Sequence, residues 1–342
     1  MSLLQNISEK FRPRPTDVNG IDFGTSGTKI VRVRKNGEGL SLAGVDVLPA
    51  IDCRQSDLHP SVLNIPAKLR AHYAAVCLNS PGISIKLLTL PGAIDAAFDQ
   101  KLAHNLGLAE DTPDRLGYRT ILEGTGRAES RILAVGLPEP EASNCMNLFT
   151  ARLPAPWHLE AAPISALTAF EAGPVKTAGT NAIGLIDFSY HFCSFSIFFK
   201  KSLILLRRFD FGMEKVFNKI TASLNVDHRT ASNILADGAF DVSDLLHDIM
   251  QPLFSQVIVS RDFIERRENC SINTLFLSGT FATSDAAMQQ IERALNVSVV
   301  PWDPFDLPQL SMATPLPPEH DKQRWRFAAA LGAAMATIEE DK

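Results

Sequence analysis

The chain has 342 residues, a net charge of −5, 45% hydrophobic and 21% charged residues. This length points to two domains with a large core, and the composition excludes disordered, fibrous and disulfide-framework classes. The acidic balance argues against a nucleic-acid binder, so the basic clusters Lys29/Arg32/Arg34/Lys35, Lys200/Lys201 and Arg207/Arg208 read as solvated strand edges. The five cysteines, Cys53, Cys77, Cys145, Cys193 and Cys270, are odd in number and lack metal-site spacing, as expected of reduced thiols. Leu3-Leu4 is followed at once by polar residues, unlike a signal peptide, and the longest apolar runs are too short to cross a membrane. A cytoplasmic protein that reaches a membrane only through a partner is expected.

In chain order, residues 1–17 carry Leu3, Leu4, Ile7 and Phe11 at helical spacing before the Pro13/Pro15 linker. They read as a loosely docked terminus, with a short amphipathic arm as the alternative. Gly20-Ile21-Asp22-Phe23-Gly24-Thr25-Ser26-Gly27-Thr28-Lys29-Ile30-Val31 then reads as strand, tight turn, strand. Glycines allow close backbone approach, so N–H groups at this tip can converge on a phosphate, while Asp22 is placed to hold a metal's water shell. No helix follows at once, which argues against a Walker A loop or a Rossmann turn. Asn36-Gly37 turns the chain into a third strand, Leu40 to Leu48, and a helix is expected at Ser61 to Tyr73. A small α+β segment follows: strands at 75–78 and 83–90, a helix at 93–106, strands at 115–122 and 130–137, and a helix at 139–153. Residues 157–172 read as a strand and an Ala-rich helix.

After the break at Gly173 to Gly179, Gly184-Leu185-Ile186-Asp187-Phe188 repeats the opening motif, with its acid 165 positions beyond Asp22 (187 − 22). A strand at 201–209 follows this hairpin as the 40s follow the first. Repetition at half the chain length implies two related halves, whose acid-tipped hairpins meet at one cleft able to hold a phosphate chain and a metal. Helices are expected at 212–224 and 229–235. Pro252 is placed in the first turn of a helix whose Leu253, Phe254, Val257, Ile258, Phe263 and Ile264 pack in the core. Ser271 to Thr280 reads as a buried strand before a helix at 282–295, Val297 to Val300 as a strand, the proline-rich 306–323 as a surface loop, and Arg324 to Ile338 as a helix.

The Gly-Ile-Asp-Phe-Gly-Thr-Ser hairpin, its echo at Asp187, Leu277-Ser278-Gly279-Thr280, Asp303-Pro304-Phe305 and the terminal Ala-Ala-Leu-Gly-Ala-Ala helix resemble the PilM family of type IV pilus assembly proteins, which is related to FtsA. The likeness runs from about residue 18 to 338. It implies an α/β, two-lobed actin-like (ribonuclease-H-like, duplicated) fold with a small α+β subdomain inserted in the first lobe. The implied organisation is an N-terminal arm at 1–17, a first subdomain at 18–73 and 156–178, an insert at 74–155, and a second lobe at 179–342 with a helical part at about 213–270. The resemblance implies ATP and magnesium in the cleft, with Gly24, Thr25, Ser26 and Lys29 on the β/γ-phosphates, Asp22 and Asp187 toward the metal through water, and Gly279 at the adenine-ribose turn. It also implies a partner, the N-terminal cytoplasmic tail of a PilN-like inner-membrane protein, held between the first half and its insert, along with possible self-association.

The sequence departs from that pattern at three points. Ser189, Tyr190 and His191 stand where the second phosphate loop has a glycine, Thr280 replaces the second glycine of the adenosine turn, and Ser232 to Leu235 lacks the usual Glu and Lys. His191 reads as structural. A scaffold with weak or no nucleotide binding is therefore expected; the alternatives are an active ATPase or small-molecule kinase of the superfamily, and an FtsA-like filament protein, disfavoured by the missing amphipathic membrane helix.

Overall fold

The computed structural model describes residues 14–92, 94, 98–108, 113–124, 128–149, 153–237 and 240–339. The expected helical spacing at residues 1–13 lies outside the described residues. Strand β1 (Asp17–Gly24) is buried along nearly its whole length, as its apolar and small residues require for a strand covered on both faces. It pairs antiparallel with β2 (Gly27–Asn36), and Gly37, at φ +61°, turns the chain into β3 (Gly39–Leu48). Strand β4 (Tyr73–Leu78) joins β1 in parallel.

The insert then forms a separate sheet from β5 (Ser84–Pro91), β6 (Asp114–Leu122) and β7 (Glu129–Pro138), ordered β5-β7-β6, with the helices Phe98–Leu106 and Glu139–Asn147. Strand β8 (Ala155–Ala161) returns to the first sheet beside β4. In the second half, β9 (Ala182–Phe188), β10 (Cys193–Phe199) and β11 (Ser202–Phe209) form the meander, and β12 (Ile272–Gly279) and β13 (Ser298–Pro301) add in parallel. Strand β14 (Leu310–Met312) crosses back to the open edge of β3. The two large sheets therefore read β14-β3-β2-β1-β4-β8 and β11-β10-β9-β12-β13, the same five-strand plan twice.

Two helices between the sheets hold the halves together. Ala328–Glu339 is built almost wholly of small and apolar residues, so its backbone lies directly on β1 and on the helix Ala162–Phe170. A Cβ on Gly332 would fall onto the Ser165 carbonyl, and one on Gly20 onto the Ala330 carbonyl. At the end of Ala162–Phe170, the Phe170 ring packs on Phe198, Phe276 and Trp302, with centroids 5.7, 5.3 and 5.2 Å away. All three belong to the second half, so the two halves share one core. At the other end of the interface, Arg131 pairs with Glu268, and Arg267 donates to Glu129 at 2.6 Å, joining β7 of the insert to the helix Ser243–Glu268.

Several sequence expectations are corrected. Only two short 3₁₀ turns, Pro60–Val62 and Ala67–Leu69, occupy the expected helix at 61–73. Pro66 removes an amide donor and disfavours helical backbone before it. Strand β4 pairs with β1, so it belongs to the first sheet although the expected insert began at residue 74. Pro252 sits deep inside the helix Ser243–Glu268, and Phe263 is 60% exposed, because the core-facing stripe of that helix runs through Leu253, Phe254, Val257 and Ile264. The expected loop at 306–323 contributes β14 and the short helix Pro318–Asp321.

Candidate functional site

The first hairpin ends in a two-residue turn, Thr25-Ser26, with both residues exposed. Behind it Lys29 lies opposite Asp22 in the β1–β2 register, and Nζ approaches Asp22 Oδ2 at 3.3 Å. Both side chains are buried, so Lys29 is no solvated strand-edge residue; Arg32, bonded to Asp17 through Nη2 at 2.5 Å, is likewise paired and mostly buried. An ammonium placed between two strands is held there by its carboxylate, because neither charge survives burial alone. Gly24 makes the space, since a Cβ there would stand 2.5 Å from Lys29 Nζ. Asp22 Oδ1 is buried without a hydrogen-bond partner among the described residues. Thr28 faces inward and donates to the Pro49 carbonyl at 3.1 Å, while Arg326, from the C-terminal segment, donates to the Ser26 carbonyl at 2.6 Å. Burial pushes the Arg326 guanidinium down from its ordinary range, and the nearby Asp22 charge opposes that shift. A cavity of ≈ 190 Å³ opens beside the tip, bounded by Gly24, Thr25, Asp52, Asn79, Glu141 and His191.

The second hairpin keeps the register of the first. Phe23 faces Thr28 and Phe188 faces Cys193, so Gly24-Thr25-Ser26-Gly27 corresponds to Ser189-Tyr190-His191-Phe192. Gly27 adopts φ +121°, which glycine tolerates. Its counterpart Phe192 is buried, and the Arg208 guanidinium stands over its ring at 3.9 Å. Arg208 also donates to the carbonyls of Ile83 and Pro81, tying the second half to the start of the insert, so it too departs from the expected solvated edge. The backbone of the tip is occupied: Ser189 N–H donates to the Phe192 carbonyl at 3.0 Å, and the Ser189 and Tyr190 carbonyls accept from Met213 and Glu214 at 3.1 and 2.9 Å. These two acceptors cap the helix Met213–Leu224, so its first amides face the tip rather than a ligand. His191 Nδ1 lies 3.1 Å from Glu214 Oε2, and Asn79 Nδ2 donates across the cleft to Ser189 Oγ at 3.5 Å.

Asp187 pairs in register with Ser194, where the first half has Lys29, so it has no internal cation of its own. Burial pushes its carboxyl above the ordinary range; the Ser278 hydroxyl pulls it back, Asp22 adds to the rise and Lys29 opposes it. Asp22, Lys29 and Asp187 thus lie within electrostatic reach of one another. Because the folded pKa is raised, the stability linked to this group is fully present below the unfolded value of about 3.9 and is lost as pH rises through the folded value. Asp187→Asn is expected to raise the melting temperature at pH 7 and to have little effect at pH 3. A melting curve insensitive to the substitution at pH 7 would contradict the burial argument.

Gly279 adopts φ +95° and presses on the end of β9, where any Cβ would fall on the Phe188 carbonyl. Its glycine is therefore required by packing beside Asp187. Ser232 to Leu235 lies on the helix His228–Asp237, with Leu235 buried in the second core. The structure brings Asp22, Gly24, Thr25, Ser26 and Lys29 together on one tip, with Asp187 and Gly279 across from it. Toward a nucleotide with its metal the first tip offers an unpartnered Asp22 carboxylate oxygen and the exposed Thr25 and Ser26, while Lys29 is already paired with Asp22 in the space that Gly24 leaves. The second tip does not fit a nucleotide, because the Phe192 ring replaces the glycine and the amides of Met213 and Glu214 are spent on the tip's own carbonyls. No group of three or more potential metal ligands occurs among the described residues. Sequence reasoning missed Asn79, Arg208 and Arg326, whose contacts span long sequence separations and leave no local pattern, and Phe192, which is buried under Arg208.

No family model matches the sequence, and no curated protein matches it. Among solved structures, the chain is similar to a chain of a PilM-PilN type IV pilus biogenesis complex, with TM-score 0.73, 16% identity, and coverage of 95% of this chain and 99% of that one. The chain shares that fold. It is two-lobed and actin-like, with the α+β insert in the first lobe, and the duplicated sheet order is its signature. Weaker likenesses extend to a Bacteroides thetaiotaomicron protein with an actin-like ATPase fold, at TM-score 0.47, 10% identity, 85% of this chain and 92% of that chain. Ta0583, an archaeal actin homolog, matches at TM-score 0.47 and 12% identity over 95% of this chain and 100% of that chain.

Proposed function

We propose that the chain is a PilM-like scaffold of a type IV pilus or type II secretion-like inner-membrane platform, with a nucleotide site that is weak or degenerate. It binds the cytoplasmic N-terminal tail of a PilN-like membrane protein and stays in the cytoplasm, peripheral to the membrane through that partner. The observation that carries this reading is the occupied second tip on a fold that matches a PilM-PilN complex chain over nearly its full length. No helix among the described residues is long and apolar enough to cross a membrane, which is compatible with attachment through a partner. The inserted sheet and the first half form the two sides of the groove in which the tail is expected.

A ligand at 100 times its dissociation constant stabilises the folded state by about 2.7 kcal/mol, so a working nucleotide site would be plain in melting. Saturating Mg-ATP is expected to shift the melting temperature by less than about 1 °C; a shift of several degrees would restore the nucleotide to the account. For the partner, isothermal titration with the N-terminal peptide of a PilN-like protein is expected to show saturable binding. If the peptide gives no heat and the full-length partner does not co-purify, the scaffold reading falls.

A further inference from the structure

Strands β10 and β11 are joined by a two-residue turn, Lys200-Lys201, since Phe199 pairs with Ser202. It lies at the end of β10 opposite the second tip. Both lysines adopt left-handed backbone, at φ +51° and +63°. Such a hairpin turn calls for glycine or asparagine, and a lysine is strained in it. A lysine kept where glycine would be unstrained points to a use for its side chain. Lys201 borders a second cavity, of ≈ 360 Å³, at the meeting point of all three parts of the chain. Thr120 of β6 belongs to the insert, Lys176 to the first half, and Lys201 and Ser202 to the second. Glu171 is the one carboxylate on its wall among the described residues, and Arg119 Nη2 already donates to both of its oxygens, at 3.0 and 3.2 Å. Lys176 and Lys201 are exposed and have no carboxylate partner among the described residues. The cavity therefore carries two uncompensated ammonium charges.

We infer that this cavity is a binding site for an organic phosphate, a phosphate monoester with an apolar part. The two ammonium groups balance the charge of a monoester dianion at neutral pH, and each brings three donors for its oxygens. The hydroxyls of Thr120 and Ser202 supply neutral donors at the same cavity. Ile121, Val175 and Leu203 add an apolar lining, and the volume falls in the range of small-ligand pockets, well above what a bare phosphate fills. A phosphate held between Lys176 and Lys201 ties the first half to the second beside the insert. The ligand thereby favours the arrangement in which the three parts meet. Because both ammonium groups are exposed, binding weakens as ionic strength rises. The site is separate from the hairpin tips and does not depend on the tail-binding reading.

Isothermal titration of the full chain with phenyl phosphate is expected to show one saturable site, with a dissociation constant of about 1 mM or tighter. Lys176→Met and Lys201→Gly are each expected to weaken it roughly tenfold, the loss of one charge-assisted contact. Lys201→Gly should also raise the melting temperature, because glycine takes the left-handed turn without strain. Lys200→Gly is the control. Lys200 stands over the Phe199 ring at 4.9 Å and does not border the cavity, so its replacement should leave binding within about twofold. Co-sedimentation with phosphatidic acid vesicles separates the sources of the phosphate. Vesicle binding that Lys201→Gly abolishes, without binding of phenyl phosphate, assigns it to a lipid headgroup; phenyl phosphate binding without co-sedimentation assigns it to a soluble molecule. If neither probe binds, or if Lys200→Gly weakens binding as much as Lys201→Gly does, the proposal is overturned.

Discussion

Lys29→Met is expected to lower the unfolding free energy by about 3–5 kcal/mol, the usual cost of removing one partner of a buried ion pair. The size follows from the surroundings of Asp22. Its Oδ1 is already without a partner, so taking away the ammonium 3.3 Å from Oδ2 leaves a buried carboxylate with no hydrogen bond from the described residues. The double variant Asp22→Asn/Lys29→Met should recover most of that loss, since a neutral pair of similar volume has no charge to desolvate. Urea unfolding of the wild type, both single variants and the double variant gives the coupling directly. A coupling under about 0.5 kcal/mol would show that the two side chains are solvated independently and that the first tip is not built around their pairing.

Phe170→Ala is expected to cost a similar amount, about 3–5 kcal/mol, by opening a cavity among Phe198, Phe276 and Trp302. Each ring is tilted or edge-on to Phe170, an arrangement that adds to the burial of apolar area. This ring comes from the first half and its three neighbours from the second. The same substitution should therefore loosen one half against the other, seen as faster amide exchange in β10, β12 and the helix Ala162–Phe170. A loss below about 1 kcal/mol with unchanged exchange would mean that the halves are held elsewhere.

The repeated plan was legible because its cues are local. The apolar strand ending in Asp22-Phe23, the small-residue turn and the alternating strand after it are written within fifteen residues, and the same grammar recurs at Asp187. The sheets carry it out strand for strand, with the same order and the same hairpin register. Glycine positions were also informative, but incompletely: Gly24 and Gly279 stood out in the sequence, while Gly20 matters only because the Ala330 carbonyl, 310 residues along the chain (330 − 20), lies against it, and Gly332 only because the Ser165 carbonyl, 167 residues back (332 − 165), does. The helix at Ser61 to Tyr73 failed for the opposite reason, since an apparent period was interrupted by Pro66, whose backbone limits outweigh it.

The candidate site divides in the same way. From the sequence alone, both acids, the hydroxyl turn and the loss of glycine from the second tip could be named, because residue type at a turn sets what the backbone can approach. Lys29 and Arg208 look alike as charged residues in exposed-looking clusters, and nothing nearby in the chain says that one is buried on Asp22 and the other stands over Phe192. Only the tertiary structure decides that, because whether a long cationic side chain is solvated depends on which distant surface covers it. Arg326 on Ser26, Arg208 on Ile83, Asn79 on Ser189 and Asn144 on Cys53 are contacts at separations of 300, 125, 110 and 91 residues. The sequence by itself determined two matching halves, each ending a hairpin in an acid; the tertiary structure decided that Lys29 is buried on Asp22 behind the first tip and that Phe192, under Arg208, fills the second.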